Sequence, residues 1–372
     1  MRGIAVACGL IFVLGPAATS LWAQDGKTAA PKPAAAQTDG QAGSSGTAAG
    51  GENGAVVRTA MRNVDYHLTD RIIVHITSLD GKLAPKPGQI PVFYDKNSFG
   101  LDVDAATIIL NMTALTNDLN DYVFAKADAP LKKLSTSTEG DQLIMKGLLV
   151  SKGGVPFETS GTMSVTPEGM IRVHTTKVKA LKLPVKGLMD LLGLDTEKLL
   201  NTKKVEGVTV DKDDLILDPE KILPPPELHG HLTSLKIENG EIHLTFAPAN
   251  GGAAPAPIKE SCGGAKNYLH FRGGTVRFGK LTMSDTDLEL LDVTPADPFD
   301  FSIDHYNEQL VAGYSKSTAA GGLCVHTPDY NKMKQKAAAK PAAAMKPTDD
   351  AKPTVAAKPA AAAQPTAATP KK

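Results

Sequence analysis

The chain has 372 residues, and its 40 basic side chains balance 40 acidic ones, so the formal net charge is zero. Aromatic residues make up only 5% of the chain, which argues against a stacking platform for carbohydrate or single-stranded nucleic acid. The sequence contains no Gly-rich dinucleotide fingerprint and no zinc-ligand cluster. These features leave catalysis as the minority interpretation and predict no cofactor.

Residues 1–23 have the pattern of a secretory signal peptide. Arg2 precedes an apolar run from Ile4 to Val13, and Leu21-Trp22-Ala23 offers a small-residue cleavage site. The run is too short for a membrane helix, and no later stretch has the roughly 18 apolar residues that such a helix needs. We therefore expect an exported protein, periplasmic or extracellular, that is not transmembrane after signal cleavage.

Two low-complexity segments flank the central region. Residues 24–55 consist mainly of Ala, Gly, Ser, Thr and Pro and cannot bury enough apolar surface to fold. Residues 331–372 form an Ala/Pro/Lys tail with a proline at every sixth position from Pro341 to Pro365, which favours an extended chain over a helix. We expect both segments to be disordered.

Charge is segregated between the tail and the body. The tail has nine lysines against Asp349 and Asp350, which gives it a net charge of +7. The signal peptide contributes +1 and the 24–55 linker −1, so residues 56–330 carry −7. In an exported protein a basic arm suits an anionic membrane or wall polymer better than nucleic acid. A solvated spacer that binds nothing is an equal alternative.

Period-two alternation predicts that strands dominate the folded part. A first strand is expected over 66–78, ending at a turn at Asp80-Gly81, and a second over 99–112. At Thr113 the apolar period becomes helical, which predicts a helix over about 114–125 with Thr113 as its N-cap. A longer helix beginning at Asp104 is the alternative, since short apolar runs are ambiguous.

A meander follows, with strands expected at 142–151, 155–165 and 169–178 between glycine-containing turns. Pro184 then opens a second helix over about 185–192 in which nearly every face is apolar. Such a helix must bury most of its surface, either in the core or against a ligand. After it, a strand is expected over 205–217.

Asn239-Gly240 marks the clearest hairpin in the chain. This dipeptide favours a type I′ turn, and the turn sets the register: Glu238 faces Glu241, and Ile237 faces Ile242. The sheet is therefore expected to be packed on one face and wet on the other.

The same register bears on metal binding. It places His243 on the face opposite His229 and His231, so the hairpin alone cannot assemble a three-histidine site. No metal site is predicted.

Residues 248–267 are rich in Ala, Pro and Gly and are interpreted as a loop or boundary. This segment separates a β-rich domain at 56–247 from a small β-rich unit at 268–330. The strands of the small unit are expected at 268–271, 274–283 and 286–293. Cys262 and Cys324 are the two cysteines of the body, and an oxidising compartment predicts a disulfide between them.

The order of elements over residues 64–247 resembles the TULIP superfamily of tubular lipid-binding proteins, especially small exported members of bacterial envelopes. The local anchors are Ala129-Pro130-Leu131, Gly147 and the run from Leu183 to Leu188. The expected fold is α+β and β-dominated, with a long curved antiparallel sheet wrapped around two apolar helices and a smaller C-terminal unit.

The resemblance implies an exported, non-catalytic protein that holds or transfers a lipid or other apolar ligand in a groove between sheet and helices. Simple core packing is an equal interpretation for each residue that would contact the ligand. The rival function is a structural or scaffold protein of the envelope, anchored by the basic tail. The candidate ligand contacts are Leu115, Leu119, Val123, Leu188, Met189 and Leu192.

Overall fold

The structure is a computed structural model that describes residues 56–150, 153–180, 205–248 and 252–339. Within these residues the protein is β-dominated, with large sheets and few helices. The predicted signal peptide, the 24–55 linker, the helix predicted over 185–192 and the tail beyond residue 339 lie outside them.

The strands of the described residues are three to thirteen residues long. They are β1 (Arg58–His67), β2 (Ile73–Pro85), β3 (Phe99–Asn111), β4 (Leu131–Glu139), β5 (Gln142–Leu149), β6 (Val155–Val165), β7 (Ile171–Ala180), β8 (Val208–Asp211), β9 (Asp214–Leu217), β10 (Glu227–His229), β11 (His231–Glu238), β12 (Glu241–Ala247), β13 (Tyr268–Arg272), β14 (Thr275–Phe278), β15 (Leu281–Ser284), β16 (Asp287–Asp292), β17 (Phe299–Ser302), β18 (Tyr314–Ser317) and β19 (Leu323–Thr327). The helices are α1 (Met112–Asp118), a π-helical turn (Leu119–Val123), α2 (Pro219–Ile222), α3 (Tyr306–Ala312) and α4 (Tyr330–Ala339).

Eleven of these strands form one large sheet in the order β11-β12-β3-β2-β1-β13-β16-β19-β18, with β10 beside β3 and β17 beside β1. Three pairs are parallel, namely β10 with β3, β17 with β1 and β16 with β19. The sheet is therefore mixed, whereas the expected sheet was purely antiparallel. Strand β1 pairs with β2 on one side and β13 on the other, so residues 268–330 extend the same sheet as residues 58–111.

A second, antiparallel sheet has the order β4-β5-β6-β7-β9-β8. It contains the predicted meander, since β5 pairs with β6 and β6 with β7 as adjacent hairpins. The single strand expected over 205–217 is instead a hairpin of β8 and β9. Likewise, the strand expected over 274–283 is the β14–β15 hairpin.

The prediction of one strand ending at Asp80-Gly81 is wrong. The chain turns earlier, between β1 and β2, where the Thr69 hydroxyl accepts hydrogen bonds from the backbone N–H groups of Arg71 and Ile72 at 3.3 and 3.0 Å. Gly81 lies inside β2, where a Cβ atom would come within 2.3 Å of the Asp102 carbonyl oxygen. The glycine is thus explained by the close approach of β3 and not by a turn.

Bulges keep the apolar side chains of the central strands on one face. In β2, Val74 and Ile76 are buried before Thr77, and Leu79 and Leu83 are buried after it, so the buried positions change from even to odd. The register between β2 and β3 shifts at Thr77, which is exposed. An extra residue reverses the alternation of a strand, and here that reversal restores the inward face for Leu79.

The predicted first helix exists but begins earlier and is not capped by Thr113. Asn111 is the N-cap of α1, and its side-chain oxygen accepts a hydrogen bond from the Ala114 N–H at 2.8 Å. Asn is a better cap than Thr, because its side chain reaches the N–H groups of the first turn more readily. The alternative helix beginning at Asp104 is wrong, since residue 104 lies in β3.

The β11–β12 hairpin and the start of the predicted tail are both among the described residues. The register of the β11–β12 hairpin is confirmed, with Glu238 opposite Glu241 and Ile237 opposite Ile242. The segment that begins the predicted tail is helical, since α4 covers residues up to Ala339. Among the described residues no helix is both long enough and apolar enough to cross a membrane.

The disulfide between Cys262 and Cys324 is confirmed, with the two Cα atoms 5.7 Å apart. It lies in a small apolar cluster that contains Ala60, Ile258 and Tyr268. The bond therefore ties the strandless segment before β13 to the large sheet at β19. An intramolecular disulfide is consistent with an oxidising, exported environment.

Candidate apolar binding site

A cavity of about 90 Å³ lies against the apolar face of the large sheet. Strands β1, β2, β3, β12 and β13 supply one wall, and the small sheet contributes Met163, Ile171 and Leu217. Side chains from α1, α2 and the segment around Pro226 complete the lining. Apart from Tyr66 and Asp118, every described residue of the lining has a side chain without nitrogen or oxygen atoms.

The cavity follows the strands of the large sheet. Its lining on β2 runs from Val74 to Leu83, which corresponds to about 30 Å of strand at a rise of about 3.3 Å per residue. A volume of about 90 Å³ spread along such a length makes a narrow seam. Ligand pockets usually have about 300–1,000 Å³, so the seam must widen to admit a long acyl chain.

Asp118 is the unusual member of the lining. Asp118 is 1% exposed, and its Oδ1 atom has no hydrogen-bond partner in the part of the chain that the structure describes. Burial, together with the negative charge of Asp121, raises the pKa of the Asp118 carboxyl to about 8. A buried polar atom without a partner is costly to the folded state, and in native proteins it calls for an explanation.

Other acidic groups lie near Asp118. Burial raises the pKa of the Tyr122 hydroxyl, and the negative charges of Asp118, Glu206 and Glu227 raise it further. Asp121 forms an ion pair with Arg71, with its Oδ2 2.8 Å from Nη1. Asp118 and Tyr122 therefore each have acidic neighbours, one of which is paired with Arg71.

The predicted ligand contacts are placed as follows. Leu115 lines the cavity. Leu119 and Val123 are buried in the core on the π-helical turn. Leu188, Met189 and Leu192 lie outside the described residues.

Most of the lining comes from the central strands, and none of the predicted ligand contacts lies on them. The signal for Val74 and Ile76 was present in the alternating apolar pattern, whereas Leu79 and Leu83 leave that pattern at the Thr77 bulge.

A buried polar cluster lies beneath the disulfide. The His270 imidazole is fully buried, with Nε2 2.9 Å from Asp287 Oδ1 and Nδ1 3.2 Å from Glu289 Oε1. Ser261 donates its hydroxyl to Asp287 at 2.8 Å and its backbone N–H to Glu289 at 2.9 Å. The serine hydroxyl is thus held by a carboxylate and not by the histidine, which differs from a Ser-His nucleophile arrangement. The cluster fixes the segment before β13 to the sheet.

Three carboxylates converge between β16 and α4. Oxygen atoms of Asp292, Asp297 and Asp329 lie within 4.8 Å of one another. The Lys332 ammonium lies 2.8 Å from Asp297 Oδ2 and 2.7 Å from Asp329 Oδ2. The lysine therefore supplies the positive charge that this cluster needs, and α4 is held to the sheet by it.

Comparison with known proteins adds no assignment to this geometry. No family model, no curated protein and no solved structure matches the chain.

Proposed function

We propose that the protein is an exported, non-catalytic binding protein of the cell envelope that holds or transfers a lipid or another apolar ligand. The observation that supports this most directly is the apolar seam between the large sheet and the elements that cover it. Concave sites lined by apolar side chains with few polar groups are the usual form of a small-molecule site. The TULIP-like order of elements supports the same proposal from the sequence.

Binding of a long chain requires the seam to open. Both walls carry apolar side chains, with Ile76 and Leu244 on the large sheet and Met163 on the small one. Separation of such walls around an apolar ligand replaces one apolar contact with another and strands few polar groups. The free energy needed for opening is therefore mainly lost packing, which the ligand restores.

The test is native mass spectrometry of the mature protein purified from its own envelope, followed by organic extraction and identification of the extracted molecules. The apo protein is then incubated with vesicles of phosphatidylethanolamine and phosphatidylglycerol. We expect bound lipid at close to one molecule per chain. The variant Val74→Phe places an aromatic ring in the seam and should abolish uptake.

Val311→Phe is the matched control, because Val311 is 80% exposed and is not among the residues that line the cavity. Urea unfolding of both variants establishes that they are folded. A clean apo mass with no uptake from vesicles would overturn the proposal. Attention would then move to the scaffold function, in which the basic tail binds an anionic membrane or wall polymer.

A further inference from the structure

Asp118 is built into the cavity wall by the local structure of α1. The helix places Leu115 and Asp118 one turn apart on the same face, and both line the cavity. The position would suit an apolar side chain, yet it holds a carboxyl group that is 1% exposed. The Oδ1 atom is left without a donor among the described residues.

The Arg71 guanidinium, which contacts the neighbouring Asn117 and Asp121, does not supply the missing donor. Arg71 is engaged elsewhere, with its guanidinium 2.8 Å from both Asp121 Oδ2 and Asn117 Oδ1. The negative charge of Asp121 acts on the Asp118 carboxyl, and those of Glu206 and Glu227 act on the neighbouring Tyr122 hydroxyl. The Asp118 carboxyl therefore has an acidic neighbour in the adjoining π-helical turn, and a positively charged donor suits it better than a neutral one.

We propose that the ligand is an apolar chain that carries a protonated amine, and that the ammonium group pairs with the Asp118 carboxylate inside the cavity. This inference rests on the proposed function, and it names the chemical class of the ligand. An ammonium group has three donors and no acceptor, so it satisfies the bare Oδ1 atom. The hydrogen bond is charge-assisted and correspondingly strong.

Other head groups fit this wall less well. A carboxylate has no donor hydrogen for the Oδ1 atom, and beside an ionised Asp118 a carboxylate or phosphate would be a like charge, which is destabilising in a site of low dielectric constant. A hydroxyl group can donate to Oδ1, but it has no positive charge to pair with the carboxylate. The apolar chain of each of these molecules would contact the same walls, so differences in affinity between them come from the head group.

The experiment compares three probes with the same six-carbon chain: hexylamine, hexan-1-ol and hexanoate. Dissociation constants are measured by protein-observed NMR titration of the full mature chain at low salt. We expect hexylamine to bind at least ten-fold more tightly than hexan-1-ol, and hexanoate to bind most weakly. In Asp118→Asn the advantage of the amine should disappear while binding of the alcohol is retained.

Asp121→Asn is the matched control, because it removes a neighbouring negative charge that is partly exposed and already paired with Arg71. It should keep most of the preference for the amine. Equal binding of the amine and the alcohol to the unmodified protein would overturn the inference, and that comparison needs no variant to fold. An unchanged preference in Asp118→Asn would also overturn it.

The proposed function is judged separately. If the vesicle experiment finds bound lipid but the amine shows no preference, the protein binds apolar ligands without the assigned head-group contact. If none of the three probes binds, the inference fails, and the outcome with vesicles decides the proposed function independently.

Discussion

In the ligand-free protein, Asp118 stabilises the folded state only while it is protonated. Its pKa is about 8 in the folded protein, against about 3.9 for an exposed aspartate. The folded state therefore binds the proton more tightly than the unfolded chain does. The contribution of this residue to the free energy of unfolding is full below about pH 4, decreases as the pH rises, and is lost once the pH has passed about 8.

The first prediction concerns the neutral variant Asp118→Asn, which cannot ionise. Relative to the unmodified protein, its free energy of unfolding should increase with pH by on the order of 1 kcal/mol per pH unit between pH 5 and 7. Urea denaturation at pH 5, 6, 7 and 8 measures this difference. The same series on Asp121→Asn should show a much weaker trend. Parallel pH profiles for the unmodified protein and Asp118→Asn would contradict the assignment.

At the scale of the element, the bulge at Thr77 decides which side of β2 meets the core. Leu79 and Leu83 follow the bulge and are buried at 0% and 3% exposure. If the strand continued through Thr77 with no bulge, the alternation would place these two side chains on the solvent face. Burial of each leucine side chain stabilises the folded protein by about 1.5–3 kcal/mol. The bulge therefore preserves several kcal/mol of packing free energy.

The second prediction is that Leu79→Ala destabilises the protein by about 2–5 kcal/mol, whereas Thr77→Ala is close to neutral. Leu79 lies in the core because of the bulge, and the Thr77 side chain is exposed. Urea unfolding of both variants provides the measurement. An equal loss of stability in the two variants would contradict the inward placement of Leu79.

Local signals were sufficient to predict several elements. The Asn239-Gly240 turn fixed the register of the β11–β12 hairpin, because a two-residue turn leaves one pairing for the residues beside it. The meander of β5 to β7 was predicted by alternation and glycine turns. Thr113 was the wrong cap, since Asn111 stands two residues earlier and is the better acceptor.

Features that depend on contacts between distant residues were not predictable in this way. The parallel pairing of β17 with β1 joins residues more than 200 positions apart, and no local pattern reports it. Asp80-Gly81 has the composition of a turn, but a glycine is required there because the backbone of β3 leaves no room for a Cβ atom. No local pattern reveals that contact. At the candidate site, Leu115 was anticipated from its helical stripe, but Asp118 was not, since a polar residue on such a stripe normally points to solvent.

At the scale of the whole molecule, the large sheet unites the two halves of the chain. Strand β1 receives β2 from the first half and β13 and β17 from the second. The apolar face of this sheet carries most of the cavity lining, while the small sheet and the short helices cover it. A ligand between these layers would therefore contact residues from both halves, as Val74 and Phe271 show by lining the same cavity.

The third prediction concerns the disulfide. The bond between Cys262 and Cys324 closes a loop with a sequence separation of 62 residues. In the chain-entropy model, a loop of that length reduces the entropy of the unfolded chain enough to stabilise the folded state by about 4 kcal/mol. The double variant Cys262→Ser with Cys324→Ser should lose about that much free energy of unfolding in urea, and added reductant should have no effect on it. The unmodified protein should fall to a similar stability when reduced. If reduction changes the urea midpoint of the unmodified protein by little, the buried Ser261, His270 and Glu289 contacts hold this segment without the covalent bond.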